Sequence, residues 1–276
     1  MARRAPALSP SRAGDFRQCP LMFRLRVVDQ IPEPPSPAAT LGTLVHSVLE
    51  GLFDLPAAER TVGAATAMLE PTWSAMRTTS LGLEELHDSP AKERAWLAEA
   101  GARLATYFTL ENPARLEPAA REELVEWQLP DGPLLRGVID RVDVAPDGSI
   151  RVVDYKTGKS PAPQYGLHAK FQMRFYALLV ERLRGRRASV LQLLYLKDGA
   201  SVVLHPTEQD LDQIEREVRS LWDEIVAAAT TSTWRTRRSA LCGWCSFQAL
   251  CPEFGGTPPA LDPAEVEAAL GVTPLA

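Results

Sequence analysis

Two apolar runs dominate the middle of the chain: LLRGVIDRVDVA at 134–145 and SIRVVDYK at 149–156, joined through Pro146, Asp147 and Gly148. Their β-branched content and the turn residues between them predict an antiparallel hairpin. Side chains alternate along a strand, so a register slip of one residue moves a whole set to the other face of the sheet. Asp154 and Lys156 therefore share a face. Asp140 joins them only if it lies opposite Asp154, a pairing in which residue numbers sum to 294. That sum demands a three-residue loop over Pro146, Asp147 and Gly148, built as a type I turn closed by a left-handed glycine. A two-residue loop at Asp147 and Gly148 would put the two aspartates on opposite faces.

A third strand, ELVEWQL, precedes the pair across PDGP and completes a meander. Next come a helix around 168–184, the strands VLQLLYL and SVVLHP around KDGA, and a long helix over about 207–228. Upstream, SPSRAGDFRQCPLMFRLRVV predicts a helix over roughly 11–28 after a short basic arm, closed by the Pro-rich IPEPPSPAAT. In LGTLVHSVLEGLF, Gly42, His46 and Glu50 recur every four residues and share a helix face. Residues 57–112 read as amphipathic helices with Trp73, Trp96, Leu97, Leu104 and Phe108 as candidate core. The fold class is α/β, a central mixed sheet flanked by helices. The chain reads as one domain: a helical part at 9–120, a sheet core at 121–230, a cysteine segment at 231–255 and a tail at 256–276.

Composition excludes more than it selects. A net charge of -5 over 276 residues gives no global field for a nucleic acid or a membrane surface. No apolar run approaches the about 18 residues that span a bilayer, and MARRAPALSP lacks a signal-peptide core, so a cytoplasmic protein without a membrane partner is expected. Local basic clusters exist at Arg3, Arg4, Arg12, Arg17, Arg24 and Arg26, in RLRGRR at 182–187 and in RTRR at 235–238. They could line a path for a phosphate backbone or simply be solvated helix faces. The GKS at 158–160 is a decoy, because the phosphate-loop glycine would fall at Val153 and PAP follows where a helix would have to open.

Asp140, Asp154 and Lys156 are the equipment for attack on a phosphodiester: carboxylates hold a hard divalent ion, and a cation stands beside it. The alternative is ordinary solvated charge. Against it, both aspartates sit in GVID and RVVD among valines, where a carboxylate is costly without a metal or cation. Glu126, in VEWQL, is a further acidic candidate in a stretch crowded by three glutamates. Cys242, Cys245 and Cys251 form C-x2-C-x5-C, with Cys19 more than 200 residues earlier. Such a quartet can hold one soft centre, either Zn or a [4Fe-4S] cluster. Gly243, Trp244 and Pro252 make the segment turn-like, which argues against simply buried thiols.

The motifs together resemble the RecB-like branch of the PD-(D/E)XK nucleases, which includes AddB, exonuclease V and the iron-sulfur nuclease of CRISPR adaptation. GTLVH at 42–46 resembles its histidine motif, GVIDR at 137–141 the first aspartate motif, VVDYK at 152–156 the second carboxylate with its lysine, and Gln172 with Tyr176 the QxxxY helix. The resemblance covers Ser9 to Cys251. It implies the restriction-endonuclease-like core, and Mg or Mn held by His46, Asp140, Asp154 and the backbone carbonyl of Tyr155. Lys156 would orient the attacking water or stabilise phosphate charge, with Gln172 and Tyr176 positioning the lysine or the phosphodiester. It also favours a structural [4Fe-4S] cluster on Cys19, Cys242, Cys245 and Cys251, stapling the two ends of the domain, over Zn.

The expectation is a Mg- or Mn-dependent deoxyribonuclease, an exonuclease on single-stranded DNA or DNA ends in repair or recombination, with any helicase or repair partner on a separate chain. The competing expectations are a non-catalytic DNA-binding scaffold subunit of a repair or CRISPR-adaptation complex, and a zinc-binding interaction module.

Overall fold

The computed structural model describes residues 6–162 and 166–274. The chain opens with β1 (Ala7–Leu8), α1 (Pro10–Gln18) and α2 (Pro20–Phe23), followed by a π-helical turn over Arg24–Val28. Four helices follow: α3 (Pro37–Leu52), α4 (Val62–Ala67), α5 (Leu69–Thr79) and α6 (Pro90–Leu110). The sheet region holds β2 (Ala120–Gln128), β3 (Leu134–Val144), β4 (Ile150–Lys156), α7 (Leu167–Arg184), β5 (Val190–Tyr195) and β6 (Ala200–Leu204). Then come α8 (Glu208–Thr230), short 3-10 turns through the cysteine segment, and α9 (Pro263–Leu270). No helix among the described residues is long and apolar enough to cross a membrane.

The expected helix over 11–28 is broken. Pro20 has no amide hydrogen and disfavours helical geometry in the residue before it, so Cys19 adopts an extended conformation at φ -163° and ψ 113°. Cys19 is thereby lifted out of helical geometry to a corner between α1 and α2.

The strand order is β1-β3-β4-β5-β6 with β2 also on β3, and the sheet is mixed. β1 runs parallel to β3, β3 antiparallel to β4, β4 parallel to β5 across the α7 crossover, and β5 antiparallel to β6. β1 carries no strand signal in the sequence; its two residues pair with Leu134 and Leu135.

The β3–β4 hairpin has the register the two aspartates require. Arg141 pairs with Val153, Val142 with Val152, Asp143 with Arg151 and Val144 with Ile150, so every pair sums to 294. The loop is the three-residue type: the Gly148 amide donates to Ala145 O at 2.8 Å, the Ala145 amide to Ser149 O at 2.9 Å, and Gly148 has φ +79°. A residue with a Cβ would resist that left-handed conformation, so the glycine sets the loop length and the loop sets the register.

Contacts divide the chain into two compact units interleaved in sequence: 1–33 with 125–137 and 208–276, and 34–124 with 138–207. In the first, α8 buries Leu211, Ile214, Val218, Leu221 and Ile225 along one face, as their three- and four-residue spacing dictates. In the second, Leu44, Val45, Val48, Leu49 and Leu52 of α3 pack with Trp73, Trp96, Leu104 and Tyr107 and with Val153, Tyr155 and Leu194 of the sheet. Leu97 and Phe108 are partly buried against that core. Each fully buried Leu or Val contributes about 1.5–3 kcal/mol, enough to fix α3 on the sheet.

Candidate metal and catalytic site

The candidate metal and catalytic residues lie in the unit 34–124 with 138–207. The alternation of β3 and β4 separates two chemistries. Asp140, Asp154 and Lys156 lie on one face, while Arg141, Val153 and Tyr155 lie on the other. Asp140 and Asp154 are both buried, at 8% and 1% exposure. Asp140 Oδ2 accepts the Tyr155 backbone amide at 2.7 Å, which ties the two strands together at the site.

Asp154 meets Lys156 and Gln172. Lys156 Nζ is 2.7 Å from Asp154 Oδ2 and donates to Gln172 Oε1 at 2.8 Å, while Gln172 Nε2 donates to Asp154 Oδ1 at 2.8 Å. Only this orientation of the Gln172 amide gives both neighbours a compatible partner. Gln172 Nε2 also reaches Tyr176 Oη at 3.1 Å, one turn further along α7. Burial raises the Tyr176 phenol, so it stays neutral. Asp154 Oδ2 is fully buried and accepts no hydrogen bond, despite its ion pair with the lysine.

His46 is presented by α3, whose apolar stripe seats the helix on the sheet. Its Nε2 lies 3.0 Å from the Tyr155 carbonyl, and its Nδ1 lies 3.4 Å from Glu122 Oε1 and 3.6 Å from Asp140 Oδ2. Burial lowers the His46 pKa, but the Glu122 hydrogen bond and the charges of Asp140, Glu122 and Asp154 outweigh it and push it up to about 9. Asp140 is raised, first by burial and then by the facing Asp154, with His46 and the Tyr155 amide opposing. Such a crowd of negative charge calls for a cation.

The donor set fits a divalent ion. Ligand atoms of His46, Glu122 and Asp140 all lie within 4.8 Å of one another. An ion with bonds of about 2.0–2.2 Å needs neighbouring ligands about 3 Å apart and opposite ones little more than 4 Å apart. Two carboxylates and one imidazole suit Mn at least as well as Mg. The Tyr155 carbonyl, expected as a ligand, faces His46 Nε2 and so fixes the ring with Nδ1 toward the carboxylates.

Glu122 is the residue that sequence reasoning missed. The acidic candidate of this strand, Glu126, instead pairs with Arg136 in the other unit. Glu122 has φ +43°, an interruption of β2 that re-aims its side chain. Neither alternation nor composition distinguishes it from its neighbouring glutamates.

The back face is built around Arg141, which is fully buried. It donates to Tyr155 Oη at 2.7 Å and Tyr107 Oη at 3.3 Å, and it pairs with Glu111 at 2.8 Å and Asp143 at 3.1 Å. Tyr155 is thus held at its ring by Arg141, at its amide by Asp140 and at its carbonyl by His46.

The cysteines lie in the unit 1–33 with 125–137 and 208–276. All four are free thiols and line one pocket, together with Arg237, Arg238, Leu241 and Phe254. Burial raises the Cys245 thiol, and proximity to Cys19, Cys251 and Cys242 adds to it. The Ser239 amide points at Cys242 Sγ at 3.3 Å, the kind of bond that stabilises a metal-bound thiolate. Four converging thiols, amide donors and nearby arginines suit a tetrathiolate centre of either kind.

The N-terminal arginines are internal ties. Arg12 donates to Ala7 O, Arg17 pairs with Glu217, Arg24 with Asp29, and Arg26 with Asp15 and Glu33. Arg3 and Arg4 fall outside the described residues. In RLRGRR, Arg184 pairs with Glu123 and Arg186 donates to the Asp147 carbonyl. Arg235, Arg237 and Arg238 remain exposed. In the decoy loop, the Ser160 amide is taken by Asp198 at 3.2 Å.

A mixed sheet with facing aspartates, a lysine two residues on and a histidine-bearing helix defines the class as a divalent-metal nuclease. A profile of the PD-(D/E)XK nuclease superfamily matches residues 7–252, and the chain belongs to that superfamily. It is 28% identical over 212 residues to the Gene 69 protein of Mycobacterium phage D29, covering 66% of this chain and 72% of that one. Over 56 residues it is 43% identical to a much longer ATP-dependent helicase/deoxyribonuclease chain of Streptococcus mutans, a match spanning 20% of this chain and 5% of that one. A crystal structure of a candidate exonuclease from Eubacterium rectale has the same fold, with a TM-score of 0.57 at 15% identity over 87% of this chain and 86% of that one.

Proposed function

We propose that the chain is a single-domain Mg- or Mn-dependent deoxyribonuclease that cuts single-stranded DNA or DNA ends in repair or recombination, as an exonuclease. The observation that carries this reading is the linked set Asp140, Asp154, Lys156 and Gln172, buried carboxylates facing one another with a cation fixed beside them. A scaffold has no use for that costly arrangement.

His46, Glu122, Asp140 and Asp154 would hold the ion. When bound, the ion supplies a Lewis acid for a phosphoryl oxygen and lowers the pKa of water. Lys156 places a fixed positive charge beside that water or the scissile phosphate, and Gln172 holds its amine by one amide atom and Asp154 by the other. Tyr176 limits rotation of Gln172. We further assign Cys19, Cys242, Cys245 and Cys251 to a structural [4Fe-4S] cluster, with Zn as the competing occupant. Similarity to a segment of a helicase/deoxyribonuclease chain supports a separate helicase as partner.

The test is digestion of end-labelled single- and double-stranded DNA with Mg or Mn by the wild type, Asp154→Ala and Lys156→Ala. Loss of roughly 100-fold or more in both variants is expected, since each removes charge at the reacting centre. Equal cutting by all three refutes the assignment, and no cutting by any refutes catalysis in favour of a scaffold. Anaerobically purified protein should be brown with broad visible absorbance; a colourless protein with stoichiometric zinc would replace the cluster.

A further inference from the structure

Five of the six tryptophans are buried or half-buried, whereas Trp244 is 88% exposed. It lies between two of the cysteines, and Leu241 before it and Phe254 after Cys251 are 53% and 47% exposed. Arg235, Arg237 and Arg238 are exposed a few residues upstream in the same unit. A large aromatic left in water is not explained by packing, because Trp is highly buried on average. Nor does the cysteine pocket use it: that pocket is lined by Leu241 and Phe254 and not by Trp244.

The backbone carrying the ring is preset. Ser239 caps the 3-10 turn Ala240–Trp244, the Cys245 amide donates to Cys242 O at 3.2 Å, and Gln248 Nε2 donates to the same carbonyl at 2.7 Å. Space beside it is open, since a Cβ at Gly243 would meet nothing within 4 Å. A rigidly mounted aromatic loses little entropy when something stacks on it.

We propose that Trp244, with Arg235 and Arg238, forms a binding surface for single-stranded DNA, the indole stacking on a base and the guanidinium groups meeting the flanking phosphates. Every base has a π-face, so the contact is sequence-tolerant and needs an unpaired base. A duplex presents no such face along its length. The arginines favour a polyanion, because a planar guanidinium fork pairs bidentately with phosphate. The surface is distinct from the residues that cut, and it rests on the reading of DNA as the substrate.

The experiment uses the full chain purified anaerobically, labelled oligothymidylate of twenty nucleotides and a duplex of equal length, with metal withheld so that nothing is cut. Trp244→Ala should bind the single strand about 10- to 100-fold more weakly, Trp244→Phe should stay within about threefold of wild type, and duplex affinity should barely move. Arg238→Gln should lower the salt dependence of single-strand binding by about one unit of slope. Circular dichroism melts and the visible absorbance of Trp244→Ala should match wild type, which shows that the fold and the cysteine-bound centre are intact. Unchanged single-strand affinity in Trp244→Ala overturns the proposal and turns the patch over to a protein partner. So does equal loss in the Ala and Phe variants. If the Asp154 and Lys156 variants cut like wild type, the nuclease reading fails while the binding comparison still stands.

Discussion

Replacing Arg141 by Met keeps most of the side-chain volume and removes one charge from a site with no exposure. Its carboxylate partners are themselves enclosed: Glu111 has 6% side-chain exposure and Asp143 has 16%. Arg151 remains, 3.1 Å from Glu111 and 2.8 Å from Asp143, so two carboxylates would share one cation. Stranding a buried charge costs about 3–5 kcal/mol, and the surviving Arg151 puts the expectation near the lower bound, about 3 kcal/mol. Domains are stable by only about 5–15 kcal/mol, so this is a large share. At about 2–4 °C per kcal/mol for a chain of roughly this size, the thermal midpoint should fall by about 6–12 °C. Lysine cannot fork to both carboxylates and the Tyr155 hydroxyl at once, so Arg141→Lys should lie between wild type and Met. Adding Glu111→Gln to the Met variant should recover part of the loss, because the two sites share the network. Circular dichroism melts read all four proteins. A fall below about 1 kcal/mol in the Met variant, or no recovery in the double variant, would refute the idea that Arg141 holds the back of the site.

Glu122→Gln should raise the Mn concentration for half-maximal cutting by about 10- to 100-fold, while Glu126→Gln, whose partner is Arg136, should leave it unchanged. Without metal, His46 has a pKa raised to about 9, so near neutrality it holds a proton that the ion must displace. Metal affinity should therefore rise with pH by up to about tenfold per unit and level off near 9, with proton release seen by calorimetry in two buffers; affinity independent of pH would remove His46 from the ligands. Gly148→Ala places a Cβ residue at φ +79° and should cost about 1–2 kcal/mol by urea unfolding; an unchanged stability would refute the role of the glycine in setting the loop.

The hairpin register was readable as a condition: Pro146 to Gly148 admits two loop lengths, and placing Asp140 opposite Asp154 demands the three-residue one, which the structure has. The order GTLVH, GVIDR, VVDYK and QxxxY was equally plain, since each motif keeps its residues close in sequence. What the sequence hid is non-local or strained. Glu122 reaches the cluster through a positive φ that breaks strand alternation. β1 is two residues long and pairs with a strand more than a hundred positions away. The break at Cys19 was signalled by Pro20, yet the apolar spacing of Phe16, Phe23 and Val27 concealed it. Arg141 stood inside a recognised motif, but its burial depends on Tyr107 and Glu111, which come from a different part of the chain.

The interleaving of the two units also orders events during synthesis. His46, Glu122, Asp140, Asp154, Lys156 and Gln172 all precede residue 207, so the unit that carries them has its full set of segments before 208–276 is made. The cysteine-bearing unit does not, because 208–276 is one of its three segments. At roughly 5–20 residues per second, that stretch takes about 3–14 seconds. Until Cys242 is added, about halfway through that stretch, Cys19 is a lone thiol on a nascent chain. Any centre the four cysteines hold is completed only once Cys251 is made, when every candidate site residue is already in the chain.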